Sequence, residues 1–189
     1  MSLVRTALLS LCAAATTSAL KISSFTNSGP ACPSGDSVTW NGSSTDPVFY
    51  LNDYSVSLDT RETVSCELHL VIDGGKAGEA VTVGEVSVWG RLGLASNGAT
   101  TFYTSAFWSE DAGSPVTKKI ESSTTSAFNG NVAIDANLGL SSPCIGSDGH
   151  VGILNLNFRV FSEGGKVTFG PQKAGSAVSE HIQLTSAKC

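Results

Sequence analysis

Apolar residues recur at every second position over most of the chain, which is the period of a β-strand with one buried face. The clearest segment is 66–72, where the apolar positions alternate with Glu67 and His69. A second is 154–161, where aliphatic and aromatic residues alternate with two asparagines and an arginine. Weaker alternation predicts further strands at 36–41, 47–54, 80–94, 100–108, 131–138 and 177–185.

Turn residues separate these segments, and no segment shows a convincing helical period. The glycine-rich segment 73–78 is predicted to be a hairpin turn, and 163–165 is predicted to turn the chain into a short strand at 167–169. Eight or so short strands joined by turns predict an all-β fold. The expected architecture is a two-layer antiparallel β-sandwich with two disulfides, and an antiparallel barrel is the alternative.

Three segments depart from simple alternation. The valines before and after Gly84-Glu85 would fall on opposite faces of a regular strand, which predicts a β-bulge at that pair. Glu180 shares the parity of its apolar neighbours in 177–185, which indicates either an edge strand or a wrong register. The serine- and threonine-rich segment 109–130 is predicted to be a long surface loop, either a binding element or an O-glycosylated connector.

The amino-terminal residues follow a different pattern. Arg5 precedes the apolar run 7–15, which closes on the small residues Thr17-Ser18-Ala19. This pattern predicts that 1–19 is a secretory signal peptide cleaved after Ala19, and that 20–189 is a single secreted domain. The mature protein is therefore expected outside the cell, free or held in a cell wall, with no further apolar run long enough to span a membrane.

Secretion makes disulfides the expected state of the cysteines. Removal of Cys12 leaves Cys32, Cys66, Cys144 and Cys189, enough for two disulfides in any of three connectivities. Antiparallel return of the chain favours Cys32–Cys66 and Cys144–Cys189. No cysteine pair or histidine group has the spacing of a zinc site, so neither a metal nor another cofactor is predicted.

Charge excludes one class of partner. Without Arg5 the chain has ten basic and sixteen acidic residues, a net charge of −6. The basic residues are scattered, and Lys118-Lys119 is the one adjacent pair. A phosphate backbone requires a clustered basic face, so nucleic acid is not an expected partner.

Four cysteine contexts together carry a family resemblance. They are Ala31-Cys32-Pro33-Ser34-Gly35-Asp36-Ser37-Val38, the segment Arg61–Leu70 with its central Cys66, Ser142-Pro143-Cys144, and the terminal Cys189. The chain resembles the small secreted proteins, common in fungi, of domain-of-unknown-function family 4360. The resemblance implies secretion, disulfides and β architecture, and it implies no activity. The family's aromatic-Arg-Gly segment appears here as Trp89-Gly90-Arg91.

No catalytic signature appears along the chain. Ser34-Gly35-Asp36-Ser37 is similar to an esterase nucleophile block, but no predicted strand comes before it and no Asp-x-x-His follows. A Gly-x-Ser-x-Gly nucleophile elbow is also absent from the sequence. A glycosidase needs only two carboxylates from distant strands, and no residue is singled out as acid or base. The available carboxylates are Asp53, Asp59, Glu62, Glu67 and Asp135.

Aromatic residues offer an alternative to catalysis. Trp89, Tyr103, Phe107 and Trp108 are candidate binding residues, because aromatic rings give rigid contact area for sugars or protein partners. Core packing competes with this interpretation, since alternation places Trp108 on the opposite strand face from Tyr103 and Phe107. Asn41-Gly42-Ser43 is a sequon that predicts N-glycosylation at Asn41.

The expected function is recognition without catalysis. The sequence predicts a secreted glycoprotein, associated with a cell wall or acting as an effector, that binds an extracellular glycan or a host protein. A secreted carbohydrate-active hydrolase with a carboxylate pair and a structural or antigenic surface protein are the alternatives.

Overall fold

The structure is a computed structural model and describes residues 19–189, so the predicted signal peptide lies, apart from Ala19, outside the described residues. Within this part of the chain the secondary structure consists of β-strands and a single 3₁₀ turn at Ser109–Asp111. The strands are β1 (Lys21–Ser28), β2 (Val38–Ser43), β3 (Asp46–Leu51), β4 (Val56–Leu58), β5 (Thr63–Asp73), β6 (Glu79–Leu94), β7 (Ala99–Trp108), β8 (Val116–Ser123), β9 (Phe128–Ser141), β10 (His150–Gly164), β11 (Val167–Gly170) and β12 (Val178–Lys188).

The strands form two antiparallel sheets, which confirms the predicted β-sandwich. The five-stranded sheet has the order β1-β5-β10-β7-β8. In the seven-stranded sheet, β2, β3, β12 and β6 are neighbours in that order. The long strand β6 pairs with β9 along one edge, whereas its other edge pairs first with β12 and then with β11, which in turn pairs with β4.

The core lies between the sheets and collects the alternate apolar positions of both. At its centre Phe102, Phe158 and Phe169 have ring centroids 5.4–6.0 Å apart, and Tyr54 lies 5.8 Å from Phe158. Burial of such rings removes large apolar areas from water and is the main favourable term in folding. The two-residue period read from the sequence therefore corresponds to this single shared core.

Two edge strands differ from the sequence prediction. Segment 109–130 is not a long loop, because it contains β8 and the start of β9. The strand β1 was not predicted. Both strands lie at the edges of the five-stranded sheet and have few buried residues, so they lack the apolar alternation by which central strands are recognised.

Two predicted hairpins are also wrong. The turn at 73–78 connects β5 of the five-stranded sheet to β6 of the seven-stranded sheet. The turn at 163–165 likewise connects β10 to β11 in the opposite sheet. Glycine allows the chain to reverse, but the packing of the whole domain decides which sheet receives the next strand.

The irregularities of β6 and β12 are resolved by their pairing. The register of β6 shifts between Val83 and Glu85, which confirms the predicted bulge. The prediction that Glu180 marks an edge strand is wrong, since β12 lies between β3 and β6. The predicted side of the strand was correct, because Glu180 faces the core with its apolar neighbours and is 1% exposed.

Both disulfides join the favoured pairs. The Cα atoms are 5.3 Å apart in Cys32–Cys66 and 6.1 Å apart in Cys144–Cys189. The first pair forms because β1 pairs with β5 and a turn after β1 returns Cys32 to Cys66. In the second pair, Cys189 directly follows β12 and Cys144 follows β9, and these strands flank the start of β6 on its two edges.

Candidate functional site

The four aromatic residues singled out from the sequence do not form one surface. Trp108 is 1% exposed and belongs to the core. Tyr103 and Phe107 lie half-buried on the outer face of the five-stranded sheet. Trp89 lies on the outer face of the seven-stranded sheet, on the opposite side of the molecule.

The rings on the five-stranded sheet have polar neighbours on the same face. The guanidinium carbon of Arg159 lies 4.3 Å from the centroid of the Tyr103 ring, a cation–π contact. Phe107 pairs across the ladder with Asn155, whose side chain is itself bonded to His69 at 2.6 Å. Tyr103 also lines a depression of about 290 Å³ together with Thr63, Arg159 and Phe161, so this face keeps some aromatic surface.

Trp89 presents a different environment. Its side chain is 45% exposed, and its ring stacks on His181 with centroids 5.0 Å apart and an interplanar angle of 25°. The residue opposite Trp89 on β9 is Ala133, whose side chain is too short to cover the ring. The ring is thus held in one orientation with part of its surface open to a ligand.

The alternation of β6 explains why the polar neighbours of Trp89 point outward. Val86 and Val88 fill the core, so Glu85, Ser87, Trp89 and Arg91 occupy the outer positions. The outer positions of the neighbouring strands supply Asp135 from β9 and His181 from β12. We call the surface formed by Glu85, Ser87, Trp89, Arg91, Asp135 and His181 the Trp89 face.

Two carboxylates converge on one hydroxyl beside the tryptophan. Ser87 Oγ lies 2.7 Å from Asp135 Oδ1 and 3.2 Å from Glu85 Oε1. A hydroxyl has one proton and can satisfy one of these oxygens at a time, so acceptor capacity remains for a ligand. A depression of about 230 Å³ at this point is lined by Asp46, Glu85, Ser87, Trp89, His181 and Gln183.

A second depression lies beyond Trp89 along β6. The Nε of Arg91 donates a hydrogen bond of 2.8 Å to Asn129 Oδ1, which leaves the terminal nitrogens of the guanidinium as donors. The depression measures about 330 Å³ and is lined in part by Ser55, Ser57 and Thr168. The Trp89 face therefore has an aromatic centre with polar depressions on both sides.

The carboxylates considered from the sequence scatter over the molecule. Asp135 alone among them lies on the Trp89 face, and its partner there, Glu85, was not singled out. Glu85 lies on the same strand as Trp89, and this was the sequence signal that could have identified it. The two carboxylates stand side by side on one sheet face, whereas a glycosidase places its acids on opposite sides of the scissile bond.

A hydrogen-bonded group of His150, Asp73 and Ser23 lies on the five-stranded sheet. His150 Nδ1 is 2.8 Å from Asp73 Oδ1, and the hydroxyl of Ser23 donates to Asp73 Oδ2 at 2.6 Å. Hydrogen bonding to Asp73 raises the pKa of His150, and the bonds from Ser23 and His150 lower the pKa of Asp73. The serine bonds to the aspartate rather than to the histidine, so this is not the arrangement of a catalytic triad.

Two further properties bear on the class of site. No three His, Cys, Asp or Glu side chains come together as metal ligands in residues 19–189. Over the same residues, no helix has the length and apolar character needed to cross a membrane.

The sequon residue Asn41 is exposed on β2, where its Oδ1 lies 3.4 Å from the hydroxyl of Tyr50.

Comparison with solved structures gives distant likenesses. The structure of TmCBM61 in complex with beta-1,4-galactotriose has a TM-score of 0.31 and 13% identity, covering 89% of this chain and 91% of that chain. Family 16 Carbohydrate Binding Module-2 has a TM-score of 0.29 and 11% identity, covering 80% and 86%. The enzymatically active domain of bacteriophage CBA120 tailspike protein 4 has a TM-score of 0.26 and 16% identity, covering 88% of this chain and 20% of that chain.

Likenesses at these identities and TM-scores say nothing about what this chain binds. The sequence matches none of the curated proteins compared with it. The model of one protein family, described as a domain of unknown function (DUF4360), matches residues 18–189. Because this match spans nearly the whole chain, the protein belongs to the DUF4360 family.

Proposed function

We propose that this protein is a secreted, non-catalytic glycan-binding protein that holds its ligand on the Trp89 face. The observation that carries the proposal is the exposed Trp89 ring, held by His181 and left uncovered by Ala133. A flat aromatic ring packs against the apolar face of a sugar ring, while neighbouring polar groups bond to its hydroxyls.

The surroundings of Trp89 favour a sugar over a protein partner. Tryptophan anchors in protein interfaces usually sit in an apolar, desolvated core. Trp89 is instead surrounded by carboxylate, amide, hydroxyl and imidazole groups, including Glu85, Asp135 and Gln183. Such groups match a ligand rich in hydroxyls.

Retention on insoluble polysaccharides tests the proposal. Purified protein is incubated with chitin, β-glucan and cellulose, and sugar release is measured in the same tubes. We expect retention on at least one polysaccharide without release of sugar. Trp89→Ala should weaken retention at least about tenfold, equivalent to about 1.4 kcal/mol. Because more than half of Trp89 is covered and its ring stacks on His181, its removal should also cost about 1–2 kcal/mol of stability, so a thermal melt checks that the variant is folded.

Tyr103→Ala is the matched control, because it removes another candidate ring from the opposite sheet. Loss of retention in Tyr103→Ala but not in Trp89→Ala would move the site to the five-stranded sheet. Release of sugar would contradict the absence of catalysis and would direct attention to Glu85 and Asp135. Failure to retain any polysaccharide would contradict glycan binding.

The proposal includes secretion through the predicted signal peptide. The two disulfides support it, because such bonds persist in oxidising compartments. Sequencing the amino terminus of protein collected from the culture medium tests this point. We expect the mature chain to begin at Leu20, and protein that stays inside the cell with Met1 intact would refute it.

A further inference from the structure

The outer positions of β6 form a row much longer than one sugar ring. Glu85, Ser87, Trp89 and Arg91 follow one another at intervals of two residues on the same strand face. With a rise of about 3.3 Å per residue, the row is roughly 20 Å long. Trp89 lies inside this row rather than at its end, so a ligand stacked on the ring has binding surface in both directions.

Depressions lie on both sides of the ring. The one toward Glu85 measures about 230 Å³, and the one toward Arg91 measures about 330 Å³. Both are shallow and open to solvent. A pocket for the terminus of a chain would have a closing wall, whereas an open row lets a chain continue past either end.

The two halves differ in hydrogen-bonding chemistry. The half toward Glu85 contains the carboxylates of Asp46, Glu85 and Asp135, which accept hydrogen bonds. The half toward Arg91 contains a guanidinium, which only donates. In residues 19–189 none of these four side chains takes part in an ion pair. Apart from the bonds of Asp135 to Ser87 and of Arg91 to Asn129, their polar atoms are therefore available to a ligand.

We propose that the Trp89 face binds the interior of a linear oligosaccharide that lies along β6 and occupies both depressions. This inference rests on the proposed glycan-binding function and adds the length and course of the ligand. One sugar residue stacks on Trp89, and its neighbours on either side bond to the carboxylates and to Arg91. A short oligosaccharide reaches only one depression and therefore binds more weakly.

The test uses soluble oligomers of the polysaccharide that retains the protein, from the disaccharide to the hexasaccharide. Titration calorimetry should show affinity rising at least about tenfold along the series, because the longer chain contacts both depressions. Trp89→Ala should weaken binding at every length. Arg91→Ala should weaken the hexasaccharide about tenfold and the disaccharide, which can still occupy the half toward Glu85, less than about twofold.

Two additional variants distinguish the loss of a ligand contact from a loss of folding. Thr168→Val changes the same depression as Arg91 while keeping nearly the same shape, and it should also weaken mainly the hexasaccharide. Arg159→Ala is the matched control, because it removes an exposed arginine from the opposite sheet and should leave all affinities unchanged. Thermal melts of each variant identify any loss of folding.

The outcomes separate this inference from the function on which it rests. Equal affinity for all lengths, or an equal effect of Arg91→Ala on all of them, overturns the interior binding mode and leaves glycan binding intact. Chemical reduction of the terminal sugar should not change the affinity, and a large loss would show that the site binds a chain end. Failure to retain any polysaccharide overturns both proposals.

Discussion

Glu180 shows how the core can determine the chemistry of a single residue. Its side chain lies between the sheets, and burial raises its pKa to about 8. The acid is therefore mainly neutral at pH 7, when an exposed glutamate would be charged. Burial and then the charge of Glu180 raise the pKa of Tyr54, whose hydroxyl is also buried. Neither Tyr54 Oη nor Glu180 Oε1 has a hydrogen-bond partner among the described residues.

This raised pKa predicts that stability decreases with pH. The unfolded chain releases the Glu180 proton near its ordinary pKa of 4.5, whereas the folded chain holds it up to about pH 8. The stabilising contribution is therefore complete below pH 4.5 and is lost as pH rises toward 8, by on the order of 4 kcal/mol. Denaturant unfolding of Glu180→Gln should show a much flatter dependence in this window. The exposed Glu121→Gln is the control, and an unchanged slope in Glu180→Gln would contradict the prediction.

His150 gives a second prediction at the residue scale. Its hydrogen bond to Asp73 raises its pKa above the ordinary 6.5. Stability from this pair is complete between the ordinary pKa of Asp73, 3.8, and pH 6.5. It is lost as pH rises through the raised pKa of His150 and as pH falls through the lowered pKa of Asp73. Asp73→Asn should lower the pKa of His150 as measured by NMR titration, whereas Asp111→Asn, which removes a carboxylate bonded to Ser114 instead, should not.

At the scale of elements, β6 connects the core to the Trp89 face. Its bulge follows from the parity of the valines on either side of Gly84-Glu85, so the sequence predicts it. The need for glycine at 90 follows from tertiary packing instead. A Cβ at this position would lie 2.4 Å from the tip of the Phe169 ring, a residue far away in sequence. Phe169 can therefore pack against the backbone between Trp89 and Arg91.

Gly90→Ala should destabilise the protein by about 1–3 kcal/mol, because the added methyl overpacks the core against Phe169. Chemical denaturation measures this change. Gly164→Ala is the matched control, since nothing lies within 4 Å of a Cβ added at that strand position. Equal effects of the two substitutions would show that the contact with Phe169 is unimportant.

At the scale of the whole molecule, two disulfides constrain chain segments that lie far apart in sequence. Cys32 and Cys66 are separated by 34 residues, and Cys144 and Cys189 by 45. Crosslinks over loops of this length reduce the entropy of the unfolded chain, by about 4 kcal/mol each in the loop-closure model. The second disulfide also holds the carboxyl terminus beside the start of β6.

Replacement of Cys144 and Cys189 by alanine together should lower the free energy of unfolding by about 2–4 kcal/mol. The replacement of Cys32 and Cys66 should have an effect of similar size, since the two loops are similar in length. Urea unfolding of both double variants, compared with the intact and the fully reduced protein, measures these changes. A double variant as stable as the intact protein would refute the prediction.

The sequence by itself determined the local properties of this protein. Alternation in 66–72 and 154–161 predicted two central strands of the sandwich, because a strand with one buried face must repeat every two residues. The strand face of Glu180 was also predicted correctly, although its strand lies inside the sheet and not at an edge. The four cysteines after the predicted signal peptide and the antiparallel return of the chain favoured the disulfides that form.

Tertiary structure alone decided which strands share a sheet and which side chains share a surface. Gly74-Gly75 and Gly164-Gly165 show that a turn does not specify the sheet that the next strand joins. The Trp89 face combines β6, β9 and β12, so the proximity of Glu85, Asp135 and His181 was not visible from their sequence positions. Alternation assigns a residue to one side of its own strand, whereas the neighbours of that strand follow from the packing of the entire chain.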